Sequence, residues 1–344
     1  MANIGVLGAG TWGTALARML ANNGHEVTMW SALPEELTEL EKTHKHKNLP
    51  GCTLPESIRY TPEIREICRG RDILLFAVPS PYVRTTARAC LPYLDPFQVI
   101  VDVAKGIEAG SLMTMSQVIQ SEVKSQPGLQ GVRVVALSGP THAEEVALDL
   151  PTAIVASSED MAAADKAQDI FMNPNFRVYT NSDVLGVELG GAVKNVIALA
   201  CGMACGLGYG DNARAALITR GAAEISRLAS VCGGSAGTIA GLAGIGDLIV
   251  TCTSTHSRNF RAGVLMGQGK GREEAVKEVG MVVEGLNALP GVKALEAKYK
   301  VEMPIVNMVD SIVCGQVSAR DAVDMLMGRR KTAEFHDHIN FLKK

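Results

Sequence analysis

Buried parallel strands read as short continuous apolar runs, and core-facing helices as apolar residues three or four positions apart. By these two periods the first half of the chain alternates. Apolar runs at residues 3–8, 26–30, 72–78, 99–103, 133–138, 152–157 and 176–180 are predicted strands, with helical patterns at 14–21, 35–42 and 159–170 between them. The alternation is βαβ throughout, which predicts an α/β fold: a Rossmann-like, doubly wound sheet ending near Asn181. From Ser182 onward strand patterns nearly vanish. Helical runs are expected at 184–207, 213–232, 272–280, 285–299, 305–314 and 319–327. The pattern divides the chain into a sheet-forming domain over 1–181 and an all-helical domain over 182–344, with no repeat or low-complexity linker between them.

One helical run breaks its own pattern. Residues 186–202 are apolar nearly all round, yet Lys194 stands in the middle with Asn195 beside it. Lysine is almost never fully buried without a partner. Its helical neighbours are Gly190, Gly191, Ile197 and Ala198, mostly small, so the ammonium points into space that other side chains leave open. This stretch alone leaves two readings: close helix packing with a paired structural lysine, or a proton donor whose pKa is lowered by desolvation.

The first strand runs directly into Gly8-x-Gly10-x-x-Gly13, then a helix, then a second strand. That context turns a weak motif into a specific one. Gly8 permits the tight turn, Gly10 lets a pyrophosphate approach the backbone, and Gly13 lets the helix pack on the strand. The helix N-terminus then offers free N–H groups and partial positive charge to the phosphates. The expected ligand is a nicotinamide dinucleotide, NADPH or NADH. An acid that would hold the ribose 2′-hydroxyl is missing from the end of the second strand, which reads Ser31-Ala32-Leu33-Pro34, and so is an arginine for a 2′-phosphate. The lack of a repelling carboxylate leans towards NADPH, with Ser31 assisting.

Ligands of such sheets sit beyond the carboxyl ends of the strands. Ser80 and Lys105 fall there, and Lys105 is a candidate to reach a phosphate or a carbonyl oxygen. Pro140 and Thr141 are expected to open a helix carrying Glu144 and Glu145 in its first turn. In the second half, residues 206–214 read as a turn, with Asp211 or Asn212 as N-cap of the next helix. Residues 242–261 are richer: a carboxylate (Asp247), hydroxyls from Thr251 to Ser257, then Arg258 and Asn259. Arginine offers a rigid donor fork that matches a phosphate, and the start of the following helix adds donors. This is the expected phosphate or polyol seat.

Composition narrows the partners. Among 344 residues, 47% are hydrophobic and the net charge is −3, so nothing advertises nucleic acid or an anionic membrane surface. No uninterrupted apolar run reaches the roughly 20 residues of a membrane span, and the N-terminus lacks the basic region of a signal peptide. Eight cysteines without a C-x-x-C pair fit a reducing, cytoplasmic setting. Cys201 and Cys205 share a helix face and read as small core residues. His44/His46 and His336/His338 read as solvated pairs, and no metal site is expected. Residues 42–51, basic and polar, read as an exposed loop.

As an ordered set, these stretches resemble the bacterial-type NAD(P)-dependent glycerol-3-phosphate dehydrogenases along nearly the whole chain. The match runs through Gly8-Ala-Gly-Thr-Trp-Gly-Thr-Ala-Leu-Ala17, Asn48-Leu-Pro-Gly51, Ala77-Val-Pro-Ser80, Lys105-Gly-Ile-Glu108 and Leu137-Ser-Gly-Pro-Thr-His-Ala-Glu-Glu145. It continues with Glu188-Leu-Gly-Gly-Ala-Val-Lys-Asn195, Gly208-Tyr-Gly-Asp-Asn-Ala213, Gly244-Ile-Gly-Asp-Leu248, Ser257-Arg-Asn259 and Val283-Glu-Gly285. The resemblance implies a dehydrogenase that interconverts dihydroxyacetone phosphate and sn-glycerol 3-phosphate, supplying phospholipid backbones. It implies Lys194 as acid/base residue, with Lys105 and Asp247 in the catalytic group. Lys105, Gly139, Thr141, Lys194, Asp247, Ser257, Arg258 and Asn259 would meet substrate. Thr11, Trp12, Ala143 and Glu284 would meet cofactor, joined by Lys105 and Arg258. His142 stands where the family often has Phe, and Ala32 where it often has a basic residue.

On this reading Lys194 protonates the C2 oxygen as hydride arrives. Lys105 would lower its pKa, and Asp247 would hold it in place while raising it. Partners other than the small-molecule substrate are not indicated, except a possible homodimer. Two other readings remain: a related two-domain dehydrogenase acting on another phosphorylated or hydroxy-acid substrate, and a nicotinamide-binding sensor without turnover. The glycines at 190 and 191 are expected to leave room for substrate and nicotinamide.

Overall fold

A computed structural model describes residues 1–334. Strands β1 (Asn3–Leu7), β2 (Glu26–Trp30), β3 (Arg59–Tyr60), β4 (Ile73–Phe76), β5 (Val99–Asp102), β6 (Arg133–Ser138), β7 (Thr152–Ser157) and β8 (Phe176–Asn181) form one eight-stranded sheet in the order β3-β2-β1-β4-β5-β6-β7-β8. Around it lie α1 (Thr11–Asn22), α2 (Pro34–Thr43), α3 (Ile64–Cys68), α4 (Val83–Cys90), α5 (Met115–Ser125), α6 (Ala143–Val146) and α7 (Met161–Phe171). All neighbouring strands are parallel except β6 and β7. The reversal has a local cause. The link from β6 to β7 holds only the single turn of α6 before the chain doubles back through Asp149, which takes a left-handed φ of 56°. A parallel return usually carries a full helix back along the sheet, and the four residues of α6 are too short for that.

The second half follows as α8 (Val184–Gly206), α9 (Asp211–Cys232), α10 (Ala236–Ile239), a π-helical turn (Leu242–Gly246), α11 (Asp247–Thr253), α12 (Arg258–Gly267), α13 (Arg272–Val279), α14 (Glu284–Tyr299), α15 (Pro304–Val313) and α16 (Ala319–Met327). Helix α8 is the axis of this half. By length and composition it could cross a membrane, but 89% of its most apolar window is buried inside the fold. Apolar all round, it acts as a core helix with neighbours on every side.

The closest of these neighbours is α12. A Cβ at Gly202 would fall 2.1 Å from the Phe260 carbonyl oxygen, and one at Gly263 2.2 Å from the Leu199 oxygen. Gly206 and Gly267 repeat the contact one turn along. The two helices therefore touch backbone to backbone, with no side chain between them.

Several local expectations change. Helix α9 is capped by Gly210, and Asp211 lies inside its first turn, paired with Arg214. Helix α6 opens at Ala143, two residues beyond Thr141. Cys201 is buried but Cys205 is exposed. The 42–51 segment is anchored, with Leu49 buried and Asn48 Nδ2 3.3 Å from Thr11 Oγ1. His44 and His46 are half-buried, His44 as the left-handed C-cap of α2. His336 and His338 lie outside the described residues.

Replacing Gly263 with Ala should lower the unfolding free energy by about 3 kcal/mol, because the added methyl meets main chain that cannot rotate away. Urea unfolding measures this, and an unchanged midpoint would show that the two backbones are not in contact.

Candidate active site

The C-terminal ends of β1 and β2 form the first corner of the site. The Gly8 amide donates to the Trp30 carbonyl at 2.8 Å, which closes the turn between strand and helix. Gly8 has φ of 120°, open to glycine alone, and its Cβ would meet the Ala77 oxygen at 2.6 Å. At Gly13 a Cβ would strike the Gly8 oxygen at 2.2 Å. A Cβ at Gly10 would meet nothing within 4 Å. The three glycines thus divide into two that packing demands and one facing open space, as a pyrophosphate cradle requires. Thr11 and Trp12 supply the first turn of α1, where helical amides have no intrahelical partner. Ala143 packs on the same core, half-buried.

Beside this corner Ser31 is buried, and its hydroxyl donates to Glu36 Oε2 at 2.7 Å. The carboxylate that residues 31–34 lack is therefore supplied from the first turn of α2. The premise for leaning towards NADPH does not hold.

The second corner lies where the sheet meets α8. Lys194 is buried, and its ammonium donates to Asp247 Oδ1 at 2.5 Å and Thr251 Oγ1 at 2.6 Å. Lys105 reaches in from beyond β5, donating to Asp247 Oδ2 at 2.6 Å and to the Gly139 oxygen at 3.2 Å. Asp247 is 1% exposed and spans the two ammonium groups, one oxygen to each. Thr141 also donates to the Gly139 oxygen, at 3.2 Å. Each ammonium has three protons and spends two of them here, leaving one for a ligand.

Burial is the largest influence on Lys194 and pushes its pKa down to about 8; Asp247 pulls it back up and Lys105 pushes it down again. Solvent exclusion is thus the main tuner, and the opposition between Asp247 and Lys105 is secondary. Two further acids, Asp102 and Glu188, are buried and influence each other. Glu188 accepts from Thr114 Oγ1 at 2.6 Å and from the Ser116 amide at 2.8 Å. Burial raises the pKa values of both Asp102 and Glu188, and Glu188 adds to the rise at Asp102.

Glycines 190 and 191 have packing roles. A Cβ on Gly190 would sit 2.8 Å from the Ala243 oxygen of the π-helical turn, and one on Gly191 2.8 Å from Ser138 Oγ. They let α8 press on the turn that carries Asp247 and on the end of β6. Room for ligand is not their first effect.

The third corner is the start of α12. Ser257 is its N-cap, with Oγ accepting from the Phe260 amide at 3.2 Å. The Arg258 guanidinium has no hydrogen-bond or ion-pair partner among the described residues. Burial lowers its pKa, against the pull of Glu284 and Glu144. Asn259 turns its side chain inward, donating to Asn195 Oδ1 at 2.9 Å and accepting from the Gly285 amide at 2.8 Å. It thereby ties α12 to α8 and α14. Glu284 accepts from the Ser80 amide at 3.1 Å and the Ser80 hydroxyl at 2.6 Å, joining the helical half to the end of β4. His142 lies close by, its Nε2 3.3 Å from the Val250 oxygen and its ring 5.8 Å from that of His256.

Sequence reasoning counted Thr251 only among the hydroxyls of the expected phosphate or polyol seat, not as a partner of Lys194, and passed over Glu36. Thr251 carried a readable signal: it stands four residues after Asp247, the spacing of neighbours on one helix face. Glu36 carried none, because the acid was sought on the strand itself.

A glycine turn at the end of a parallel sheet, joined to a helical half that brings a buried lysine to the sheet's carboxyl edge, defines a Rossmann-type nicotinamide-dependent oxidoreductase. The particular family follows from comparison. Residues 3–164 match the model for the NAD-dependent glycerol-3-phosphate dehydrogenase N-terminus, and residues 183–324 the model for its C-terminus. The chain belongs to the NAD-dependent glycerol-3-phosphate dehydrogenase family. It is 60% identical to a glycerol-3-phosphate dehydrogenase (NAD(P)+) of Lactobacillus delbrueckii subsp. bulgaricus, covering 97% of this chain and 99% of the relative. It is 52% identical to one from Agathobacter rectalis, over 97% of this chain and 98% of the relative. The crystal structure of glycerol-3-phosphate dehydrogenase from Coxiella burnetii superposes with a TM-score of 0.90 at 38% identity, over 95% of this chain and 99% of that one.

Thr251→Val should lower the Lys194 pKa further, since a hydrogen bond to the ammonium is lost at nearly constant volume. A bond of that kind contributes roughly 1.5 kcal/mol, or about one pH unit. The basic limb of the reductive pH–rate profile should move to lower pH by that amount, and a limb that stays in place removes Thr251 from the site.

Proposed function

We propose that the protein is an NAD(P)-dependent sn-glycerol-3-phosphate dehydrogenase that reduces dihydroxyacetone phosphate at C2, with Lys194 as general acid. The observation that carries this reading is the Lys194–Asp247–Lys105 chain at the sheet's carboxyl edge, within a family member. Residues 1–181 serve as the dinucleotide-binding domain and 182–344 as the substrate-binding domain.

The glycine turn, Thr11 and Trp12 would seat the pyrophosphate, and Glu284 and Ala143 would meet the same cofactor. Bound nicotinamide supplies the hydride. As C2 is reduced, negative charge grows on its oxygen. The free proton of Lys194 points to that charge and is delivered to it, completing the alcohol. Asp247 fixes the direction of the Lys194 ammonium, and Lys105 keeps the site net positive while reaching the carbonyl oxygen or phosphate. Arg258, Ser257 and the first-turn amides of α12, including that of Asn259, hold the phosphate. Thr141 and Gly139 line the same side. Fixing a remote phosphate orients C2 at no cost to the chemical step. The reading extends to a cytoplasmic enzyme feeding glycerophospholipid synthesis, supported by eight cysteines that are all free. We extend the reading to a homodimer, which light scattering of the purified chain decides.

A lysine with pKa about 8 sets opposite pH dependences for the two directions. Reduction uses the ammonium, so its kcat/KM should fall as pH rises through about 8. Oxidation uses the neutral amine and should rise through the same region. Lys194→Ala should lower kcat at least a hundredfold in both directions while the nucleotide still binds; turnover near that of the wild type would sink the role given to Lys194. Arg258→Leu should raise KM for dihydroxyacetone phosphate at least tenfold while changing cofactor KM little. Equal effects on both would count against a phosphate clamp at α12.

A further inference from the structure

We propose that Glu36, held by Ser31, reads the 2′-hydroxyl of the adenosine ribose and makes this chain prefer NADH to NADPH. The inference deepens the dehydrogenase reading above and rests on it, since it concerns the coenzyme end of the same site.

The placement comes from the backbone. Leu7 pairs with Trp30 in parallel register, and the Gly8 amide closes on the Trp30 carbonyl. Ser31, the next residue, therefore stands beside the glycine turn, where the adenosine ribose of a Rossmann dinucleotide passes. The common device at this point is an acid at the end of the strand. Here the chain continues to Leu33, which ends the extended segment, and α2 begins at Pro34. Glu36 is in the first turn, with its amide 3.0 Å from the Leu33 oxygen. Its side chain folds back onto the end of β2.

Ser31 holds it there. The serine hydroxyl accepts from the Leu33 amide at 3.1 Å and donates to Glu36 Oε2 at 2.7 Å. Its proton is thereby committed to the carboxylate. The Glu36 Oε1 atom has no hydrogen-bond partner among the described residues, and no lysine or arginine pairs with Glu36 there. A ribose hydroxyl can donate to that oxygen. A 2′-phosphate in the same place would meet a half-buried carboxylate, repelled over a few ångströms. The facing groups do not reverse this. His46 and Glu39 approach from the end of α2 and the loop beyond, and burial lowers the His46 pKa, so its ring is uncharged near neutral pH. Ala32 and Leu33 are exposed and carry no charge. Lys47 stands on the same loop as His46, and its charge lowers the His46 pKa further.

Binding separates the possibilities without relying on turnover. Isothermal titration of the full chain with NADH and with NADPH, near pH 7 and at fixed salt, should show NADH binding at least tenfold more tightly. Glu36→Gln keeps the shape but removes the charge, and should shrink that ratio to within about threefold, chiefly through tighter NADPH. Ser31→Ala leaves the acid but frees its side chain, and should shrink the ratio by an intermediate amount. Adenosine 5′-diphosphate and adenosine 2′,5′-bisphosphate should reproduce the same order without the nicotinamide end. Equal affinities in the wild type, tighter NADPH, or a ratio unmoved by Glu36→Gln would overturn the assignment while leaving the dehydrogenase reading standing. If neither dinucleotide binds, the dehydrogenase reading fails and the proposal falls with it.

Discussion

Two ammonium groups share one carboxylate inside this protein, and the architecture around the site answers to that arrangement. Removing Lys194 and Asp247 from water is costly, and neither is tolerable without the other. Asp247 meets Lys194 with one oxygen and Lys105 with the other. The three groups come from different places: Lys105 from the end of β5, Lys194 from α8 and Asp247 from the start of α11. Charge satisfaction therefore requires the sheet and the helical half to close on each other. The residual balance is one positive charge, with a spare proton on each ammonium. Such a site suits an anionic substrate whose reacting oxygen gains further negative charge.

A second set of contacts crosses the same boundary and keeps it aligned. Glu188 on α8 accepts from Thr114 and Ser116 at the start of α5, and Glu284 at the start of α14 accepts from Ser80. Each uses a carboxylate from the helical half to satisfy donors on the sheet half. Because these acids are spent on hydrogen bonds, they are not available to neutralise the lysines. Asp247 alone carries that role.

Much of this was legible along the chain. The strands at 26–30, 133–138 and 152–157 fall where the apolar runs end, because strands buried on both faces need continuous apolar sequence. The long helices from 184 onward match within two residues at each end. Two-residue β3 and five-residue α3 are too short to show a period; α4 and α5 do carry buried faces at helical spacing, Val83-Thr86-Ala87-Cys90 and Met115-Val118-Ile119-Val123, that the reading along the chain overlooked. Helix α11 was concealed in residues 242–261 by glycines and hydroxyls that favour turns in isolation, while α12 was expected only as the helix following that stretch, without bounds. Lys194, Lys105, Asp247 and Arg258 could be singled out because charge is conspicuous in apolar or small-residue surroundings, and the fold brings the first three together. The inward turn of Asn259 and the acid beside Ser31 could not. Both depend on which distant atoms the folded chain brings within reach.

The backbone contact between α8 and α12 has a consequence for how this protein can change over time. Lys194 lies on one of these helices and the Arg258–Asn259 turn on the other. Where side chains separate two helices, substitutions slide or tilt them. Here Gly202, Gly206, Gly263 and Gly267 leave only main chain at the crossing. The span between Lys194 and the Arg258–Asn259 turn is then set by the polypeptide itself, as the jaws of a caliper are set by its frame. Core residues elsewhere are free to drift without altering that span, whereas a single methyl at the crossing resets it. Four glycines thus fix the separation of Lys194 from the start of α12.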